Sequence, residues 1–432
     1  MTRYTRRSAV ASLAFVLACV GGMPSAHARQ GAGHVKPGIT VLLADSASLI
    51  DGKRVGLLTN QSGVNEKGVS DIDLIASRAK AHAGSGPTLT ALFSPEHGIR
   101  GTEDRTNLAN GRDERTGVPV YSLYGATALA PPDSALKTID VLLIDLQDIG
   151  ARPWTYVASM VYAMRAAAAQ HVPVVILDRP NPITGSHVEG PVLDSSFAYA
   201  GTHSAERAAT PTALYPIPMR HGLTMGELAR FYNDVLGLHA QLHVVPADGW
   251  RRDDWFDQTG LPWIKPSPNM PNLKSAELYP AIVVLEATNV SVGRGTSEAF
   301  QHIGAPWLDA HKVIKLLEER TLPGLKFEEE RFTPVHPGDE KYGGVSVHGI
   351  HIIITDRNRM QTSRLAADLL WAIAKTNGDS LRFQQKGFNQ LFGVAGGREA
   401  IMSGADPDSL IDESLPATIA FEQATKRYRL YK

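Results

Sequence analysis

Apolar positions along this 432-residue chain follow two different periods. In the first half four short runs, "RVGLLTN" (54–60), "LTALFSPEHG" (89–98), "VLLIDLQDIG" (141–150) and "VPVVILDRPNP" (172–182), are rich in Val, Ile and Leu without strict alternation. That is the pattern of strands buried on both faces. Between them the period lengthens. Over 154–170, Trp154, Val157, Val161, Met164 and Ala168 recur at spacings of three and four, which places them on one face of a helix. Pro153 stands where a first-turn proline is tolerated. Strands alternating with helices predict βαβ units and a Rossmann-like, doubly wound, mostly parallel α/β sheet.

The second half is patterned differently. "LTMGELARFYNDVLGL" (223–238) predicts a helix with Thr224 as N-cap and Glu227 completing a capping box. A strand, "QLHVVPA", follows, and then a Trp- and Pro-rich loop over 249–273. "AIVVLEATNVSVGRGTSEAF" (281–300) reads as a buried strand running into a Gly-rich loop. "GVSVHGIHIIITD" (344–356) alternates as a strand with an exposed face, and "SRLAADLLWAIAKT" (363–376) is an amphipathic helix. A domain boundary inside the Pro-rich loop gives a Rossmann-like domain over 38–258 and a smaller α+β domain over 259–432.

Composition narrows the setting. The formal net charge is −1, with none of the basic excess that a nucleic-acid or anionic-membrane partner calls for. Arg3, Arg6 and Arg7, the apolar stretch Val10 to Val20 and the A-x-A pattern Ala26-His27-Ala28 form a secretory signal over 1–28, too short to span a membrane. Arg6-Arg7 fits a twin-arginine signal only loosely. The single cysteine, Cys19, lies inside this leader in a loose lipobox, which keeps a lipid-anchored form as an alternative to a free periplasmic or extracellular protein. Once cleaved, the chain would be exported yet unable to form a disulfide, so its core alone must carry stability.

The polar residues fall at one end of the strands. Asn60 and Gln61 follow the first run, Glu96 and His97 the second, Asp145, Asp148 and Arg152 the third, and Asp178, Arg179 and Asn181 the fourth. Open α/β sheets bind ligands beyond the carboxyl ends of their strands, so four strands deliver polar groups to one functional edge. The blander reading of each is a cap or turn residue. No G-x-S-x-G elbow, HExxH, P-loop or complete G-x-G-x-x-G is present, so no cofactor is expected. What remains is carboxylates: Glu96, Asp145, Asp148, Asp178, Glu189 and Glu286. Carboxylate chemistry outside the cell points to glycoside hydrolysis, in which one protonated carboxyl donates to the leaving oxygen. Glu96, beside Phe93 and Pro95, is partly desolvated, the setting that suits an acid. His97 stands next to it. Tryptophans supply rings for sugar C–H faces. Trp250, Trp255 and Trp263 cluster in the Pro-rich loop as candidates, whereas Trp154 and Trp371 sit on apolar helix faces and read as core anchors.

The stretches "GKRVGLLTNQSGV", "LFSPEHGIRG", "VYSLYG", "DVLLIDLQDIGARPWTY", "LDRPNPITG" with "VEGPVLD", "PIPMRHGLTMGELA", "PSPNMPNL" and "EATNVSVGRGT" occur in this order. Together they resemble the exo-β-N-acetylmuramidase NamZ family, formerly a domain of unknown function, from about residue 38 to the C-terminus. The resemblance implies a Rossmann-like catalytic domain, a smaller C-terminal domain and an active site in the cleft between them. It also implies removal of terminal, non-reducing N-acetylmuramic acid from peptidoglycan fragments. Glu96 of the S-P-E-H-G motif is then the catalytic acid, with Asn60, Tyr124, Asn269 and Asn289 in motifs expected to contact the sugar. The lactyl carboxylate of such a sugar calls for a cation, and Arg152 and Arg294 are the candidates. Its 2-acetamido group can attack the anomeric carbon, oriented by Asp145 or Asp148; a direct carboxylate nucleophile stays equally open. A non-catalytic glycan-binding protein would use the same rings and arginines but would not need Glu96.

Overall fold

The computed structural model describes Met1 and residues 34–100, 109–124, 129–198 and 211–432. The expected leader at 1–28 lies outside the described residues apart from Met1. Three of the four apolar runs of the first half become the strands β1 (Arg54–Thr59), β2 (Thr88–Ser94) and, after the short β3 (Gly111–Arg112) and β4 (Pro119–Ser122), β5 (Val141–Asp145). The fourth is β6 (Val174–Leu177). Next in the chain, β7 (Glu189–Val192) and β8 (Pro218–Arg220) form an antiparallel ribbon, and β9 (Leu242–Val245) returns to the main sheet. The sheet order is β3-β4-β2-β1-β5-β6-β9, parallel throughout except for β3.

Alternation within the parallel strands splits the core into two layers. Val55, Leu57, Leu92, Leu143, Val175 and Leu177 pack with Ile39, Leu42, Ile72 and Ile75 on one face, against helices Gly38–Asp45 and Asp71–Ala81. Leu58, Phe93, Leu142, Ile144, Val174 and Ile176 face the other way, against Thr155–Ala169 and Met225–Val235. With both faces covered, neither set of side chains could be polar, which is why the runs lack clean alternation. Thr224 caps the Met225–Val235 helix in the expected capping box with Glu227.

The second core layer continues into the C-terminal half. There β10 (His302–Ala305), β11 (Leu325–Phe332) and β12 (Val347–Ile354) make an antiparallel sheet in the order β10-β12-β11, backed by Thr362–Asn377. One expectation fails. Residues 281–287 are not a strand but the end of helix Leu273–Ile282 and a 3₁₀ turn, Val283–Ala287. The helix begins earlier, where Asn272 accepts from the Ser275 N–H (3.1 Å), and runs on through Pro280. From Ser275 to Ile282 every residue is buried. A short apolar run inside a helix buried all round carries no period to separate it from a buried strand. Among the described residues no helix is long and apolar enough to cross a membrane.

Candidate active site

β2 ends at Ser94, and the next residues form a tight turn closed by the Gly98 N–H donating to the Pro95 carbonyl (3.2 Å). His97 and Gly98 both take left-handed backbone conformations, φ 70° and 75°. Glycine adopts this without cost. For a histidine it is uncommon and held only by surrounding structure, a feature that gathers at functional sites. The turn carries Glu96 off the sheet edge to the start of the Thr155–Ala169 helix, where the Thr155 hydroxyl donates to Glu96 Oε2 (2.6 Å). That hydroxyl stands in the first turn of the helix, so the helix start fixes where the Glu96 carboxyl sits.

Glu96, His97 and Tyr124 form one wall of a cleft of about 140 Å³, smaller than the usual pocket for a drug-sized ligand. Rings make much of the rest. Trp154 meets Tyr156 edge-on (5.3 Å between centroids) and Tyr279 (5.7 Å), and Tyr279 meets Phe300 (4.9 Å). The far wall comes from the C-terminal half: Ser267, Asn269, Met270, Glu286 and Arg294. Arg294 Nε donates to Glu286 Oε1 at 2.6 Å, with both side chains about four-fifths buried. Burial first, and then the Glu286 carboxylate, hold the Tyr279 hydroxyl well above its ordinary value, so it stays a proton-bearing donor beside both glutamates.

The two walls are tied together beneath the cleft. Tyr156, fully buried next to Glu96, donates its hydroxyl to the Pro266 carbonyl, and the Asn60 amide approaches the same phenol. Gln61 Nε2 donates to the Lys265 carbonyl (2.7 Å). Residues after β1 thus dock the 265–270 loop that brings Ser267 and Asn269 to the site. On the other side Lys341 Nζ donates to the carbonyls of Glu286 (2.8 Å) and Val290 (3.1 Å), fixing the segment that carries Glu286.

The edge of the sheet divides the residues expected at the site. Glu96, His97, Tyr124, Asn269 and Arg294 line the cleft. Asp145 does not. It is fully buried and paired with Arg179, whose Nη2 also donates to the Val64 carbonyl (2.6 Å). Arg179 therefore plugs the gap between β1 and β5 where the strand order reverses, the usual ligand crevice of such sheets. Burial and the charge of Asp145 push Asp71, alongside, well up, so Asp71 keeps a proton. Asp178 accepts from the Thr224 hydroxyl (2.7 Å), the Gly226 N–H (2.7 Å) and the Tyr431 hydroxyl (2.7 Å). Asn181 bonds to Leu223 and Ile183. Asp148 lies below the cleft, accepting from the Gly150 N–H (2.7 Å) and 3.3 Å from His221 Nε2. Arg152 turns away to the last carbonyls of helix Gln385–Phe392, donating to Gln390 (2.7 Å) and Leu391 (2.9 Å), and burial pushes it down to about 10. A cation at a helix C-terminus answers the dipole there, so Arg294 is the guanidinium that reaches the cleft. Asn289 braces the Ser380–Arg382 backbone. Asn60 holds the turn after β1, its Oδ1 accepting from the Ser62 N–H (2.9 Å) and hydroxyl (2.6 Å).

Trp154, expected as a core anchor, is buried in the core and also lends its ring to the cleft. Trp250 and Trp255 are buried, the first against Tyr431 and the second under Arg357 (4.6 Å). Trp263 stacks edge-on with Phe256. Sequence reading also passed over Thr155, Tyr156 and Tyr279, and left Glu286 unassigned. The signal for Glu286 was its place eight residues before Arg294, in one motif.

A Rossmann-like sheet whose edge presents a carboxyl to a ring-walled cleft, closed by a guanidinium from a second region, defines a carbohydrate-processing α/β enzyme. The family models described as exo-beta-N-acetylmuramidase NamZ, N-terminal, and exo-beta-N-acetylmuramidase NamZ, C-terminal, match residues 55–274 and 277–431. The peptidoglycan beta-N-acetylmuramidase NamZ of Bacillus subtilis (strain 168) is 38% identical over 399 residues, covering 92% of this chain and 91% of that protein. Two crystal structures of DUF1343 family proteins from Bacteroides fragilis NCTC 9343 are similar. One has a TM-score of 0.81 at 33% identity, covering 92% of this chain and 99% of that one. The other has 0.70 at 28%, covering 93% and 99%. The chain belongs to the exo-β-N-acetylmuramidase NamZ family.

Proposed function

We propose that this protein is an exo-acting glycoside hydrolase that releases terminal, non-reducing N-acetylmuramic acid from peptidoglycan fragments. The observation that carries this reading is the Glu96 carboxyl, held by Thr155 in a small ring-walled cleft that Arg294 closes. Glu96 donates its proton to the glycosidic oxygen as the bond to the anomeric carbon breaks. Arg294 faces the lactyl carboxylate. Glu286, the second carboxylate of the cleft, is paired with Arg294; it orients the sugar, and the substrate's 2-acetamido oxygen attacks the anomeric carbon. Water then opens the cyclic intermediate, with Glu96 taking its proton. The small cleft suits one terminal ring, not the middle of a strand. The leader pattern at 1–28 supports export to the periplasm or beyond, where such fragments arise in cell-wall turnover.

The test is product analysis on a peptide-free β-1,4-linked N-acetylmuramyl–N-acetylglucosamine disaccharide and on longer strands, wild type against Glu96→Gln. Free N-acetylmuramic acid from the non-reducing end, slowed about 10²–10⁴-fold in the variant, is expected. Internal fragments without the monosaccharide would overturn the exo reading. Tight binding with no turnover in wild type would make the protein a glycan binder.

A further inference from the structure

Arg294 lies in the turn Gly293–Thr296, and that turn is propped from one side by the antiparallel sheet. His302 of β10, Gly349 and His351 of β12, and Glu328, Glu330 and Phe332 of β11 share one face of it by register. Gly304 and Gly349 leave room on adjacent strands for the Phe332 ring; a Cβ on either would lie within 2.8 Å of it. Phe332 in turn stacks on the His302 imidazole (3.9 Å, 9°). The imidazole is thus held flat. Its Nδ1 is 2.6 Å from Glu330 Oε1 and its Nε2 is 3.0 Å from the Thr296 hydroxyl oxygen.

The other contacts of Thr296 show what this does. Its hydroxyl donates to the Gly293 carbonyl (2.8 Å) and accepts from the Glu298 N–H (3.1 Å), and its own N–H donates to Gly293 as well (3.1 Å). A hydroxyl has one proton. With that proton on Gly293, the His302 tautomer that carries Nε2–H is the donor to Thr296. Burial pushes His302 down to about 4, which leaves the imidazole neutral. Gly293 (φ 77°) rests directly on the imidazole: a Cβ there would lie 2.3 Å from it. Gly295 accepts from the Val335 N–H (3.0 Å) on the far side.

We propose that His302, held flat by Phe332, and Thr296 form a positioning relay that sets the Gly293–Thr296 turn and so aims Arg294 into the cleft, making the antiparallel sheet a determinant of selectivity for an anionic sugar. The inference rests on the reading of Arg294 as the partner of the lactyl carboxylate. Neither His302 nor Thr296 lines the cleft.

The experiment measures kcat and KM on an aryl β-N-acetylmuraminide and on the same glycoside with its lactyl carboxylate converted to a neutral methylamide. The proteins are wild type, Thr296→Val, Thr296→Ser, His302→Gln and Arg294→Ala. Thr296→Val keeps the shape of a partly buried residue and removes the hydroxyl, and should raise KM for the charged substrate about five- to tenfold, a fraction of a charge-assisted hydrogen bond. Its kcat should stay within about twofold, the neutral substrate should be unaffected, and Thr296→Ser should restore KM. His302→Gln, which keeps a donor toward Thr296, should fall between. Arg294→Ala losing equally on both substrates would sink the underlying reading of Arg294. Arg294→Ala discriminating while Thr296→Val does not would sink the relay alone, as would a Thr296→Val loss that falls on kcat for both substrates.

Discussion

Two groups of polar side chains stand at the carboxyl edge of the same parallel sheet and end up in opposite roles. On the β5–β6 side, Asp145, Arg179, Asp178 and Asn181 turn inward, and their bonds end on one another, on the Val64 carbonyl, on the start of the Met225–Val235 helix and on Tyr431. On the β2 side, Glu96 and His97 turn outward into the cleft. The fold offers both groups the same position. What separates them is the chain laid over each. Once covered, a charge must be paired or neutralised, and a paired charge holds structure. Where the cover is a wall of rings set back from the edge, the carboxyl keeps one oxygen for a substrate.

The largest expected effect falls on the cleft side. Glu96→Gln should lower the rate on the unactivated disaccharide by about 10²–10⁴-fold while the thermal unfolding midpoint stays in place. A variant that is inactive because it fails to fold would move Glu96 to the structural group. The matching test on the other side is Arg179→Ala. It leaves Asp145 buried and unpaired beside Asp71, and breaking such a pair costs about 3–5 kcal/mol, to be read by urea unfolding, with kcat per folded molecule nearly unchanged. A stable Arg179→Ala protein with a raised KM would show that the crevice takes substrate after all.

A smaller effect separates the two arginines proposed for the lactyl group. Arg294→Ala should weaken muraminide hydrolysis by about 1.5–3 kcal/mol and the corresponding glucosaminide far less. Arg152→Ala should instead lower stability without discriminating between the two sugars. Equal losses for Arg294→Ala on both substrates would return it to the structural side.

The smallest effect is one of pH. Burial raises Asp178 to about 6 from an ordinary 3.8. The folded state therefore binds this proton more tightly than the unfolded chain, and the stability it contributes is present below about pH 4 and lost as pH rises toward 6. The Tyr431 hydroxyl opposes that by favouring the carboxylate. Tyr431→Phe should cost about 0.5–1.5 kcal/mol, more at pH 8 than at pH 4. A pH-independent cost would mean that only the bond from the Ala247 N–H to Tyr431 matters.

The sequence by itself determined the strands β1, β2, β5, β6 and β9, the helices Thr155–Ala169 and Met225–Val235, the Thr224 capping box and the polar edge. Each depends on short-range sterics and on which face of an element is buried, and such features repeat within a few residues. It also placed Glu96, His97 and Arg294 in motifs that resemble one family. Only the tertiary structure decided which edge residues face substrate. Asp145 and Arg179 read no differently from Glu96 until the loops that cover them are in place. The same holds for Trp154 against Trp250 and Trp255: all three are buried, and distant segments decide that only Trp154 borders the cleft. Residues 281–287 did not read as helical because all but Glu286 are buried, which erases the period that marks a helix. Glu286 and Arg294 reach Glu96 because the second core layer of the sheet continues into the C-terminal half, and a contact made across that distance in the chain leaves no local trace in the pattern of residues.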